Sequence, residues 1–121
     1  MENNDLFLLD VLNILSAEVD CYIQAPSLDD EVVLSLMDKT VFEYFSGIKL
    51  NSFNKEILIE RIKNHCITYY FQKIQIRLND KLLFEGYDGV EYGVLSKDLN
   101  IPQWFFEKHI ITETCCLSLD W

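Results

Sequence analysis

Hydrophobic positions fall into two regimes along this 121-residue chain, helical spacing first and alternation second. From Asp5 to about Asp20, apolar residues (Leu6, Leu8, Leu9, Val11, Leu12, Ile14, Leu15) occupy most sides of a helical wheel. Asp10, Asn13 and Asp20 recur at helical spacing as a narrow wet stripe. Pro26-Ser27 breaks that run. Ser27 suits an N-cap, with Asp29, Asp30 and Glu31 in the first turn, where the helix dipole favours negative charge. The pairs Val32/Val33, Leu36/Met37, Thr40/Val41 and Tyr44/Phe45 step by four and predict a helix from Leu28 to about Ser46, with Gly47 as its C-terminal cap. A third helix, from about Asn54 to Cys66, keeps Leu58, Ile62 and Cys66 inward and Glu56, Glu60 and Lys63 outward.

The period then changes. From Ile67 to Leu78 the chain is rich in β-branched and aromatic residues, and Ile74, Ile76 and Leu78 alternate with Lys73, Gln75 and Arg77. Asn79-Asp80 reads as a turn, Lys81 to Tyr87 as a strand, Asp88-Gly89 as a hairpin turn and Val90 to Ser96 as a further strand. Pro102 opens a short helix to about His109, and Thr112 to Leu119 reads as a closing strand. The expected fold is α+β. N-terminal helices precede an antiparallel sheet of about four strands, with a short helix before the last strand, in one domain over residues 1–121.

Charge narrows the partners. Twenty acidic residues face ten basic ones, and they are segregated. Met1 to Glu43 holds ten acids and one base, Tyr44 to Asn79 two acids and six bases, and the remainder eight acids and three bases. An acidic surface repels phosphate backbones and anionic lipid and draws basic partners inward. Direct nucleic-acid binding and membrane binding are therefore not expected. The acidic start, Met1 to Asp5, is unlike a secretory leader, and no apolar run approaches the roughly 20 residues that span a bilayer. Cytoplasmic location follows as the expectation, with Cys21, Cys66, Cys115 and Cys116 as reduced, mostly buried thiols.

Reactive chemistry finds few carriers. Gly86, Gly89 and Gly93 match no phosphate-cradling loop or dinucleotide fingerprint. His65-Cys66 and Cys115-Cys116 are adjacent ligands without C-x-x-C spacing, so neither a metal nor a cofactor is expected. A thiol hydrolase would pair a cysteine such as Cys115 with His65 or His109, and glycoside chemistry would use Glu85, Asp88 and Glu91. The first lacks the basic surroundings an activated thiol needs. The second lacks polar companions for a substrate. A binding protein without catalytic residues is the reading that remains. Its candidate interface residues are Asp29, Asp30 and Glu31 together with Glu85, Asp88, Glu91 and Tyr92 on a hairpin expected to project from the sheet.

The stretch Leu82-Leu83-Phe84-Glu85-Gly86-Tyr87-Asp88-Gly89-Val90-Glu91-Tyr92-Gly93, followed by Ile101-Pro102-Gln103-Trp104-Phe105, resembles small immunity proteins of bacterial contact-dependent growth inhibition and related polymorphic toxin systems. The likeness covers the C-terminal third. It implies a cytoplasmic antidote that binds a cognate toxin domain, often a basic nuclease, and blocks its active site. An acidic DNA mimic directed against a DNA-binding enzyme would use the same charge, and a small cysteine hydrolase is the third reading. Oligomeric state stays open, since an exposed edge strand can pair between copies.

Overall fold

A computed structural model of the chain describes residues 1–15 and 18–121. Helix α1 (Asn3–Ile14) starts where the Glu2 N–H donates to Asp5 Oδ2 at 3.0 Å, which satisfies one otherwise unpaired end group. It stops at Leu15, whose backbone is extended. The expected passage of this helix through Ser16 and Ala17 lies outside the described residues. Beyond them Asp20–Gln24 is strand β1, not helix, and its burial alternates residue by residue. Helix α3 (Ser52–His65) has the clearest local code. Asn51 Oδ1 accepts from the N–H groups of Phe53 and Asn54, Asn54 Oδ1 accepts back from Asn51, and Cys66 closes the helix in the left-handed region at φ 52°.

The long second helix is not formed. Only α2 (Glu31–Leu36) is helical, followed by β2 (Asp38–Lys39) and β3 (Ser46–Lys49), an antiparallel pair. The step-by-four spacing is present, but Thr40, Val41, Phe42, Tyr44 and Phe45 are residue types that favour extended backbone. Thr40 Oγ1 accepts from the Phe42 N–H and donates to the Phe45 carbonyl, a local alternative to helical bonding. Tyr44 at φ 70° cannot belong to a right-handed helix.

Asp30 shows what the acidic first turn does here. It caps α2 by accepting from the Val33 N–H at 3.0 Å, and it accepts from Arg61 of α3 at 2.8 Å. Burial alone would raise its carboxyl, but the Arg61 guanidinium and the Val33 N–H outweigh that and hold it below the usual aspartate range. A depressed carboxyl stabilises the fold above the ordinary aspartate range, and that contribution is lost as pH falls through the lowered folded-state value. Asp30→Asn should therefore cost roughly 1–3 kcal/mol at neutral pH. In urea titrations the gap between wild type and variant should close on acidification. A gap unchanged by acid would show that Asp30 acts without its charge.

The remaining strands are β4 (Lys73–Leu78), β5 (Lys81–Tyr87), β6 (Tyr92–Leu95) and β7 (Cys115–Leu117). They join the earlier strands in one sheet of order β2-β3-β1-β4-β5-β6-β7. The fold is α+β, with seven strands where about four were expected. It is also mixed: all neighbours are antiparallel except β6 and β7, which run parallel. The expected short helix becomes α4 (Gln103–Phe105) running into a π-helical turn, Phe106–Ile110.

One face of the sheet is covered. Cys21, Ile23, Ile48, Ile74, Ile76, Phe84, Leu95 and Cys115 lie in one cluster with Phe7, Leu8, Val11 and Leu12 of α1 and Leu58 and Ile62 of α3. The other face is open. Register aligns Tyr22, Gln75, Glu85, Val94 and Cys116 across it as one row. Among the described residues, no helix is long and apolar enough to cross a membrane.

Candidate functional site

The β5–β6 turn is anchored and does not project. Asp88 N–H donates to the Gln72 carbonyl at 2.9 Å, and Gly89 N–H to the Phe71 carbonyl at 2.8 Å. From the other side, Asn4 of α1 donates its amide to the Gly89 carbonyl at 2.8 Å. Asp88, Gly89 and Val90 all have positive φ (54°, 71° and 59°), and Val90 is fully buried. A β-branched residue in that region is an outlier that persists only where its surroundings fix it. Glycine suits the middle position for a second reason, since an added Cβ would sit 3.1 Å from the Tyr69 carbonyl oxygen.

This anchoring encloses a groove of about 890 Å³ at one end of the sheet. Its walls are the start of α1 (Glu2, Asn3, Asn4, Leu6), Tyr69 of the 3-10 turn Thr68–Tyr70, Asp88 and Glu91 of the hairpin, Lys108 and His109 of the π-helical turn, and Thr114. Two acidic segments far apart in sequence thus meet. Lys108 Nζ lies 2.8 Å from Asp10 Oδ2, so its charge is already matched. Among the described residues Glu2, Asp88 and Glu91 make no ion pair, and they leave the groove with unneutralised negative charge. A smaller hollow of about 420 Å³ adjoins it and shares Tyr69 and Asp88.

The seven candidate residues separate into three places. Asp88 and Glu91 line the groove. Asp29 and Glu31 are exposed at the start of α2 and do not line it, while Asp30 beside them is spent on the cap and on Arg61. Glu85 and Tyr92 lie on the open face of the sheet. Glu85 is held from three sides: Gln75 Nε2 donates to it at 2.6 Å, the Tyr87 hydroxyl donates to it, and Lys73 Nζ approaches to 3.8 Å. Burial first, and then the Glu85 carboxylate, push the Tyr87 phenol upward, so it stays protonated as a donor. Tyr92 stacks on Tyr87 with ring centroids 5.1 Å apart.

Sequence reasoning missed Glu2, Tyr69 and His109 as parts of one site. No short-range pattern marks them, because the Asn4–Gly89 bond that assembles the groove joins residues 85 positions apart. The π-helical turn that carries His109 is a rare geometry frequent at functional sites, but nothing in the local pattern encodes it.

No cysteine lines the groove. Burial pushes the Cys21 and Cys115 thiols up to about 12, away from nucleophilic thiolate. Among the described residues no thiol hydrogen-bonds to an imidazole, and no group of three or more His, Cys, Asp or Glu could hold a metal ion. A comparison with protein-family models, curated proteins and solved structures returns no match.

Proposed function

We propose that the chain is an immunity protein that acts in the cytoplasm by docking its acidic groove onto a basic nuclease domain of a toxin and covering that domain's active site. The observation that carries this reading is the groove in which Glu2, Asp88 and Glu91 lack cationic partners among the described residues while Lys108 is already held by Asp10. A cleft that binds phosphates presents the complementary charge, and long-range attraction speeds capture. The exposed Tyr69, which lines the groove with these carboxylates, supplies contact area of the type enriched at interfaces. A DNA mimic calls for carboxylates in a phosphate-like row. The open sheet face, however, sets Lys49, Arg77 and Lys73 among Asp20 and Glu85. A cysteine hydrolase gains no support from thiols held up at about 12.

The test is affinity capture from the source cell with wild type and with an E2Q/D88N/E91Q variant as baits. Wild type should capture a protein with a basic domain that the variant loses. That protein should be toxic when produced alone and harmless when produced with this chain. Equal capture by both baits, or a harmless captured protein, would overturn the proposal.

A further inference from the structure

We infer that the open face of the sheet docks on a second copy of this chain, face to face about a two-fold axis that runs along the strands between β1 and β4. The residues that carry it, Asp20, Phe42 and Arg77, do not line the groove, so it stands apart from the binding reading above. Phe42 marks the axis. Its ring meets Tyr22 of β1 edge-on at 5.2 Å, and the Arg77 guanidinium of β4 lies 5.3 Å from its centre. It therefore stands over the seam between these two strands, and it is 40% exposed. Rotation about that seam brings the ring against its own copy, an apolar contact at the centre of the interface, where hot spots gather.

Charge selects a second copy as the occupant. Asp20 and Arg77 are direct cross-strand neighbours, one on each side of the seam. Among the described residues neither makes an ion pair, and the Arg77 hydrogen bonds go to neutral acceptors, Gln75 Oε1 and the Asp80 carbonyl. The rotation exchanges their places, so Asp20 of each copy comes over Arg77 of the other. A net charge of −10 opposes association of copies in general. This face does not, because register places Lys49, Arg77 and Lys73 on it with Asp20, Asp38 and Glu85, three charges of each sign. The sheet edges suit a copy less. Antiparallel pairing about a two-fold axis sets one residue against itself, which at β2 means Asp38 on Asp38 or Lys39 on Lys39. At the β7 edge Cys115 is 1% exposed and already covered. Strands β2 to β6 overlap in the face-to-face arrangement and offer a patch of roughly 24 by 17 Å, about 400 Å² in projection. Two such patches reach only the low end of specific interfaces, so the dimer is weak, with a Kd of roughly 10–500 µM.

The experiment follows the full chain by sedimentation equilibrium from micromolar to millimolar concentration, where wild type should pass reversibly from monomer to dimer. Asp20→Lys and Arg77→Glu should each weaken the dimer roughly tenfold or more, because each sets like charges face to face. Mixed in equal amounts, with one of them isotope-labelled, the two variants restore both pairs. Native mass spectrometry should then find the mixed dimer well above half of all dimers. Phe42→Ala should weaken the wild-type dimer roughly tenfold. Melting temperatures check that each variant is folded. If Arg77→Glu unfolds the chain, Asp20→Asn and Arg77→Gln carry the test, each expected to weaken the dimer about two- to fivefold. A wild type that stays monomeric at millimolar concentration, variants that associate as tightly as wild type, or a mixture with no excess of mixed dimer would overturn the inference.

Discussion

Phe7→Ala is expected to cost about 3–5 kcal/mol, a large part of the roughly 5–15 kcal/mol that holds a domain of this kind together. Phe7 is 1% exposed and sits where three parts of the fold meet. Its ring meets Phe84 of β5 edge-on at 5.7 Å, Phe105 of α4 at 6.4 Å and the His109 imidazole at 5.0 Å. The void left by alanine would face rings fixed to different elements, so the surroundings cannot collapse to fill it. Phe7→Leu keeps most of the apolar volume and should cost clearly less. Urea unfolding read by midpoint and slope checks both variants. A loss below about 1 kcal/mol for Phe7→Ala would mean that Phe84 and Phe105 close over the gap, and that α1 is not joined to the sheet through this ring.

The second large effect is kinetic. Neutralising the groove with Glu2→Gln, Asp88→Asn and Glu91→Gln should slow association with the captured toxin roughly tenfold or more at low ionic strength, and wild type and variant should converge as salt rises. Asparagine is the proper replacement at position 88, since φ there is 54° and asparagine tolerates that region. Asp88 and Glu91 are exposed, so the melting temperature should barely move. Asp29→Asn with Glu31→Gln removes acidic charge outside the groove and should change the rate by less than about twofold. Stopped-flow measurements across a salt series decide. Equal slowing by the two sets would mean that net charge, and not this groove, guides the encounter.

Local code carried part of the fold. Helix α3 was legible because Leu58 and Ile62 step by four on its buried side with Glu56, Glu60 and Lys63 opposite, while its start at Ser52, fixed by Asn51 and Asn54, was placed two residues late. Strands β4 and β5 were legible because Ile74 and Ile76 alternate with Lys73, Gln75 and Arg77, and because Asn79 and Asp80 both adopt the positive φ of the turn between them. Strand β1 was lost to the apolar run before it, although Asp20 to Gln24 alternates plainly. What makes it a strand is its pairing with β3 and β4, both distant in sequence. The segment Asp38 to Lys49 failed for a similar reason. Its apolar spacing fits a helix, while its β-branched and aromatic content is satisfied only at the edge of a sheet that the spacing does not reveal. The parallel pairing of β7 was hidden because Cys115 to Leu117 alternates equally well in either direction.

At the site, the hairpin acids Asp88 and Glu91 were legible as a charged rim. Asp30 and Glu85 looked equivalent to them and are not, because the guanidinium that holds Asp30 comes from α3, and the amide and ammonium that hold Glu85 come from β4, alongside the Tyr87 phenol of its own strand. Charge can be read from a sequence. Whether that charge is already matched cannot.

The run of three left-handed residues at Asp88, Gly89 and Val90 bears on what docking costs. Flexible recognition loops surrender conformational freedom when a partner arrives, and that loss subtracts from affinity. Here the freedom is already gone in the unbound protein. Bonds to Gln72, Phe71 and Asn4 and the burial of Val90 hold the turn in a geometry it would seldom visit alone. The backbone that carries Asp88 and Glu91 is thus preorganised, and in the binding proposed above a target would meet a turn whose backbone entropy loss was settled during folding.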